Sequence, residues 1–148
     1  LSREEGYALM SDITQTPDKL RMIFDDELMS FGTDALYTGK AAHPRSANAA
    51  IHLLCNRCKE ENVSWEVAIN KMTKKVADRL SIKDRGQVKE GFKADLVVFD
   101  PKRLKDNSSL SNPFAMCTGL EYVMVNGCFA LSEGKLTGTQ SGEVILGL

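Results

Sequence analysis

Residues 122–131 read YVMVNGCFAL, two apolar runs separated by Asn126 and Gly127. Asn-Gly between apolar runs is the strongest short-range signal for a β-hairpin, because both positions of the turn need positive φ. An earlier run at 94–100, ADLVVFD, is rich in β-branched and aromatic residues and stops at Pro101. The sequence therefore predicts strands at 94–100, 122–125 and 128–131, a surface loop at 105–118, and one last short strand, Val144–Leu146.

Upstream of Gly86 the pattern changes from strands to helices. Apolar residues recur there at intervals of three to four, which is typical of helices that bury one face. The predicted helices are Pro17–Asp26, Ser46–Glu60 and Ser64–Leu80. Pro17 suits a first helical position, and Ser64 is a plausible N-cap. In the last helix the stripe Trp65, Ala68, Ile69, Met72, Val76 and Leu80 faces the core, and Lys71, Lys74 and Lys75 form the solvated face.

A candidate active-site corner lies at residues 29–45, MSFGTDALYTGKAAHPR. A short strand, Leu28–Thr33, is predicted to deliver Asp34 to a loop that carries Gly39, His43 and Arg45. In barrel and doubly wound folds, ligands and catalysis gather at the carboxyl ends of strands. Asp after Gly-Thr also commonly caps a turn. On position alone, the functional and the turn interpretations of Asp34 both stay open.

Composition limits the classes of function. The chain has 148 residues, 43% of them hydrophobic and 26% charged, as in an ordinary globular domain. Its 19 basic and 20 acidic residues leave no positive patch for nucleic acid or an anionic membrane. No apolar run is long enough for a membrane span, and the first residues lack the pattern of a signal peptide. We expect a soluble, cytoplasmic protein.

Cys55 and Cys58 form an isolated C-x-x-C pair. Three-residue spacing on a helix places two buried-type thiols on one face, and this is the favoured interpretation. A zinc site would need two more ligands, and a redox motif would follow a strand. Cys117 and Cys128, with no histidine near them, do not supply such ligands.

Four segments together resemble the N-acyl-D-amino-acid deacylases of the amidohydrolase superfamily. The resemblance covers about residues 17 to 146. It rests on Gly32-Thr33-Asp34 with His43-Pro44-Arg45, on Ile69–Thr73, on Lys83–Asp100, and on Gly119–Gly127. The segment ending in ADLVVFD is shared by many amidohydrolases and marks the superfamily. The pairing of Asp34 with His-Pro-Arg narrows the resemblance to the D-aminoacylase-like group.

The resemblance implies a catalytic role for Asp34 and a substrate-binding role for Arg45. Asp34 matches the family's aspartate at the metal centre, which acts as general base toward the metal-bound water and then as acid toward the leaving amine. Asp34 is thereby also a candidate metal ligand. Arg45 matches the arginine that holds the substrate's free carboxylate, which a planar guanidinium grips bidentately. Gly32, His43 and Pro44 are expected to shape the loop.

The family fold implies the C-terminal end of a (β/α)8 barrel at residues 1–85, followed by strands of a small antiparallel β-sandwich at 86–148. The substrate is then an N-acyl-D-amino acid and the cofactor zinc. His43 and His52 are the only histidines, too few for a tetrahedral zinc site, and His52 is expected to pack on a helix face between Ile51 and Leu53. We therefore expect a portion of a longer enzyme, partnered by its N-terminal part, inactive and without zinc by itself.

Two alternatives remain from the sequence. One is a non-catalytic structural or binding module in which helices and strands persist as a scaffold. The other is a parent enzyme that opens cyclic amides, like a hydantoinase or dihydroorotase, which shares ADLVVFD but does not call for the His-Pro-Arg loop. If the chain is separated from the N-terminal part of the family architecture, its late strands have unpaired edges and would allow it to associate with itself.

Overall fold

In a computed structural model of the chain, residues 3–4, 7–8, 16–35 and 42–145 are described, the first two ranges by their backbone alone. The helices are α1 (Pro17–Asp25), α2 (Arg45–Leu54) with a π-helical continuation (Cys55–Glu60), α3 (Trp65–Met72) and α4 (Lys74–Arg79). The strands are β1 (Arg3–Glu4), β2 (Tyr7–Ala8), β3 (Leu96–Phe99), β4 (Leu120–Val125), β5 (Cys128–Ser132) and β6 (Lys135–Leu136). Within the described ranges, no helix is long and apolar enough to cross a membrane.

Two predicted helix starts are confirmed. Pro17 occupies the first turn of α1, and the preceding Thr16 is the N-cap, whose hydroxyl accepts a hydrogen bond from the Lys19 backbone N–H. Ser64 caps α3 in the same way by accepting from the Val67 N–H. Each cap satisfies one backbone donor that the first turn of a helix leaves without an intrahelical partner.

The single helix predicted over 64–80 is wrong, because Thr73 divides it into α3 and α4. The Thr73 backbone leaves the helical region, with φ −126° and ψ −91°. Its hydroxyl donates to the Ile69 carbonyl at 2.8 Å, a back-bond that competes with the regular helical ladder. The predicted exposure of Lys71 is also wrong: it is buried, with 6% of its surface accessible. Leu80, placed on the core stripe, is instead exposed.

The predicted hairpin is confirmed. Asn126 and Gly127 connect β4 to β5 with φ values of 47° and 80°, as a two-residue hairpin turn requires. The strand predicted at 94–100 forms as β3 over 96–99 and pairs antiparallel with β4. The sheet order is β3-β4-β5-β6. Residues 105–118 form a loop closed at its ends by a bridge between Lys105 and Thr118.

Two predicted strands are wrong. Residues 28–33 have no strand partner in the described part of the chain. Two backbone bonds hold them, from the Phe31 N–H to the Lys71 carbonyl and from the Met29 N–H to the Asp26 carbonyl. Val144 and Ile145 form no strand, and Leu146 lies outside the described residues. A run of suitable residues becomes a strand only where a second strand supplies its backbone hydrogen bonds.

The core lies between the helices and the sheet. Its buried members are Phe24, Leu54, Cys58, Ala68 and Leu104. Leu104, in the loop after β3, is fully buried, and the rings of Trp65 and Phe99 pack with centroids 5.5 Å apart. Side chains from the helical half and the sheet half therefore share one core.

Candidate functional site

Asp34 and Arg45 form an ion pair, with Arg45 Nη2 at 3.0 Å from Asp34 Oδ2. The Asp34 side chain is 80% exposed and that of Arg45 is 42% exposed. Asp34 adopts a left-handed backbone with φ of 47°, which aspartate tolerates better than most residues. The structure thus brings together an open carboxylate and a guanidinium that is free to bind other groups through its remaining donors.

His43 and Pro44 set the start of α2, where Arg45 is the first helical residue. Pro44 is the N-cap, with φ −51° and ψ −30°. The Arg45 backbone N–H has no intrahelical acceptor and donates instead to His43 Nδ1 at 3.1 Å. The Ser46 N–H donates to the His43 carbonyl at 2.9 Å. His43 therefore fixes the first turn of the helix from which Arg45 projects.

Gly32 lies on the segment that leads to Asp34. A Cβ added to Gly32 would meet no atom within 4 Å, so the residue borders open space. Between the two halves of the site, residues 36–41, including the predicted loop residue Gly39, lie outside the described residues.

A cleft of about 570 Å³ lies beside the ion pair. Its wall includes Gly32, His43, Pro44 and Arg45, together with apolar side chains of α1 and of the segment before Asp34. Residues of α2 and its continuation, among them His52 and Arg57, and of the loop at 106–110 complete it. Asp34 is not part of this wall. Arg45 therefore lines the cleft and also contacts the carboxylate of Asp34.

His52, expected to pack on a helix face, is instead exposed and paired. Its Nδ1 lies 3.0 Å from Asp106 Oδ2, and its Nε2 lies 3.0 Å from the Asn56 amide nitrogen. Burial alone would raise the pKa of Asp106, but hydrogen bonds from Ser108 and His52 lower it. Asp106 comes from a loop 54 residues away, so sequence reasoning missed the pair and no local signal could have revealed it.

The described residues do not make a metal site by themselves, because no three His, Cys, Asp or Glu side chains converge within them. Zinc sites need three or four such donors. Asp34 is one candidate, whereas both nitrogens of His52 already have partners and His43 Nδ1 accepts from Arg45. A zinc centre that used Asp34 would need its other ligands from residues beyond those described.

The C-x-x-C pair lies in the π-helical segment. Cys58 is buried and Cys55 is partly buried, and the Cys55 thiol contacts the Leu104 carbonyl at 3.6 Å. Burial, together with nearby Cys55 and Glu66, raises the pKa of the Cys58 thiol. A raised pKa disfavours the thiolate that metal binding and redox exchange require, in agreement with a packing role.

Sequence comparison relates the chain to known hydrolases. Residues 12–129 match the amidohydrolase family. The chain is 34% identical over 125 residues to an N-acyl-D-aspartate deacylase and 32% identical over 130 residues to a D-aminoacylase, both from Alcaligenes xylosoxydans xylosoxydans. These alignments cover 83% and 87% of this chain but 25% and 27% of the relatives. The chain thus spans about a quarter of the length of the curated relatives it matches.

The chain is also similar in fold to solved structures of deacylases. A D-aminoacylase mutant in complex with CuCl2 superposes with a TM-score of 0.80 at 30% identity, covering 87% of this chain and 27% of that one. An N-acyl-D-glutamate deacylase from Bordetella bronchiseptica, bound to zinc and a phosphonate mimic of the tetrahedral intermediate, superposes with a TM-score of 0.73 at 27% identity, covering 80% and 26%. The fold is therefore that of the corresponding part of such enzymes, α/β with a small antiparallel sheet.

Proposed function

Because this chain belongs to the amidohydrolase family, we propose that it is the C-terminal portion of a zinc-dependent enzyme that hydrolyses the amide bond of N-acyl-D-amino acids. The products are a D-amino acid and a carboxylate. The observation that carries the proposal is the ion pair of Asp34 and Arg45. It joins a group that can move a proton to a group that can hold a carboxylate, and the reaction needs both.

In the longer enzyme, residues 1–85 would complete a (β/α)8 barrel, and residues 86–148 would contribute strands to a β-sandwich. Residues 28–33 would form a strand once neighbouring barrel strands supply hydrogen bonds. The same N-terminal part is the partner that would cover the free edges of β3 and β6, which otherwise allow self-association. A cytoplasmic location stays a prediction.

Arg45 is the proposed anchor for the free carboxylate of the substrate. In the described structure its guanidinium contacts Asp34, and exposed ion pairs of this kind contribute only about 0 to 1 kcal/mol. A substrate carboxylate that binds bidentately would compete well with such a contact. Binding of substrate would thereby release the Asp34 carboxylate for chemistry.

Asp34 is the proposed proton carrier. One carboxylate oxygen accepts a proton from the attacking water as its oxygen bonds to the acyl carbon. The same proton then passes to the amide nitrogen as the C–N bond breaks, so that the amine leaves in neutral form. A bound zinc supplies acidification of the water and polarisation of the carbonyl. Among the described residues, Asp34 is the one that would lie at the zinc centre. The other zinc ligands would belong to the rest of the enzyme.

Hydrolysis of matched N-acetyl-D- and N-acetyl-L-amino acids by the zinc-loaded full-length enzyme tests the proposal. We expect turnover of the D-substrates, and Asp34→Asn should lower kcat by about 10²- to 10⁴-fold. Asp78→Asn, which removes an exposed carboxylate on α4, is the matched control and should leave kcat unchanged. Hydrolysis of hydantoins or dihydroorotate in place of linear amides would replace the proposal by a cyclic-amide hydrolase. No turnover of either class would favour a non-catalytic module.

A further inference from the structure

Lys71 is a buried lysine whose side chain reaches the segment that leads to Asp34. Its Nζ donates to the Asp26 carbonyl at 2.7 Å and lies 5.3 Å from the centre of the Phe24 ring. Burial, with a smaller effect from Lys75, lowers the pKa of Lys71 below its ordinary value. Burying an ammonium group is costly unless it is hydrogen-bonded, so the bond to Asp26 offsets part of an unfavourable placement.

The backbone of Lys71 makes a second contact with the same segment. Its carbonyl accepts a hydrogen bond from the Phe31 N–H at 3.0 Å. Lys71 therefore binds the segment at two points, Asp26 and Phe31, and the second point lies three residues before Asp34. Residues 28–33 have no strand partner in the described ranges. These two hydrogen bonds, together with the packing of Met29 against the core, attach the segment to the helices.

Arg45 is held in a different way. It projects from the first turn of α2, which His43 and Pro44 fix. Among the described residues, neither of these two hydrogen bonds of Lys71 reaches α2. The hydrogen bonds that support the two halves of the proposed site are thus different, and a change at Lys71 should affect the position of Asp34 more than that of Arg45.

We propose that Lys71 is a positioning residue that holds the segment Asp26–Phe31 against α3 and so places the Asp34 carboxylate for proton transfer. The inference rests on the proposed function, because it gives Lys71 a role through Asp34. A displacement of about 1 Å at a reacting group can lower the rate by about 10²-fold. Loss of the Lys71 side chain should therefore reduce kcat while leaving KM, which depends on Arg45, nearly constant.

The test compares Lys71→Met, Lys71→Arg and Lys83→Met in the zinc-loaded full-length enzyme. Lys71→Met keeps the apolar length but removes the donor, and we expect kcat to fall about 10- to 100-fold with KM within about 2-fold. Lys71→Arg keeps a donor and should recover most of kcat. Lys83 is exposed, so Lys83→Met controls for the loss of one positive charge. If Lys71→Met does not fold, Lys71→Gln, with a neutral amide donor of shorter reach, should give an intermediate kcat.

Hydrogen exchange of the Phe31 amide supplies a second measurement that does not depend on activity. We expect faster exchange in Lys71→Met than in the wild type, and no change in Lys83→Met. Wild-type kcat and exchange in Lys71→Met would overturn the inference, as would an equal change in kcat and KM. If Asp34→Asn keeps full activity, the proposed function fails and the catalytic part of the inference fails with it. If Asp34→Asn is inactive and Lys71→Met is not, the inference alone fails.

Discussion

Arg45 Nη2 lies 3.0 Å from Asp34 Oδ2, so the two residues proposed for substrate binding and for proton transfer neutralise each other in the described structure. Both side chains are open to solvent, which keeps the contact weak and exchangeable. A weak contact of this kind suits a site in which a ligand carboxylate takes the place of Asp34 at the guanidinium. The affinity for a ligand should therefore depend strongly on whether the ligand has a free carboxylate.

Arg45→Ala should weaken the binding of substrates that have a free carboxylate. Hydrogen bonds to a charged partner contribute about 1.5 to 3 kcal/mol, which corresponds to an increase in KM of roughly 10- to 150-fold. Arg45→Lys should retain part of the binding, because an ammonium group pairs with a carboxylate without the bidentate geometry. Steady-state kinetics on N-acetyl-D-amino acids measures both variants.

The matched substrate for that experiment is the corresponding C-terminal carboxamide. It lacks the charge that Arg45 is proposed to bind, so wild type and Arg45→Ala should hydrolyse it with similar KM. An equal loss of affinity for the acid and the carboxamide would contradict the role assigned to Arg45.

His43→Ala should raise KM modestly, by about 3- to 10-fold, because it removes the acceptor for the first helical N–H. Loss of a comparable capping hydrogen bond costs about 0.5 to 2 kcal/mol and would loosen the turn that carries Arg45. His43→Asn offers a side-chain oxygen that can accept from the Arg45 N–H and should restore much of the affinity. Kinetics on the same substrates distinguishes the two variants. A fall in kcat with constant KM would instead point to contact between His43 and the reacting groups.

Gly119→Ala should destabilise the fold by about 3 kcal/mol or more, since overpacking against rigid backbone cannot relax. Gly119 has φ of 81°, and an added Cβ would lie 2.4 Å from the Leu104 N atom. Gly127 has a matching φ of 80° but no atom within 4 Å of an added Cβ, so Gly127→Ala should lose only about 1 to 2 kcal/mol. Urea unfolding of both variants measures the difference. Equal losses would show that backbone angle, and not the clash with Leu104, dominates.

Asp95→Asn should lower the free energy of unfolding by about 1 to 3 kcal/mol at neutral pH. Asp95 accepts a hydrogen bond from the Asn126 N–H at 2.8 Å and pairs with Arg85, which also contacts Asn126 and Glu143. Burial would raise the pKa of Asp95, but these contacts lower it below its ordinary value of 3.8.

The loss of stability in Asp95→Asn should depend on pH, because folding lowers the pKa of Asp95. A carboxyl group with a lowered pKa in the folded state stabilises the protein above its unfolded pKa, and this stability disappears as the pH falls through the folded value. The difference in the free energy of unfolding between wild type and Asp95→Asn, the stability gap, should therefore have its full size above about pH 4. It should shrink as the pH falls further. Asp78→Asn, in an exposed pair with Lys74, should show little gap at any pH. A constant gap for Asp95→Asn down to pH 2 would contradict the assignment.

Local features of the structure could be predicted from the sequence. Pro17, Ser64 and the Asn126-Gly127 turn act through atoms within a few residues, so their patterns predicted the helix starts and the hairpin correctly. The break at Thr73 was missed, because a threonine back-bond to Ile69 is compatible with either a continuous or an interrupted helix. Periodicity describes the average direction of side chains and does not reveal one deviating residue.

The sequence by itself indicated the family, and it singled out Asp34, His43, Pro44 and Arg45, which stand in one motif, as candidate site residues. The tertiary structure alone decided what those residues contact. It paired Asp34 with Arg45, joined His52 to Asp106, and buried Lys71 beneath the segment that leads to Asp34. It also gave residues 28–33 no strand partner among the residues that the structure describes. The physical reason is that hydrogen bonds, ion pairs and burial depend on distances between atoms far apart in the chain, whereas sequence patterns report preferences within a few residues.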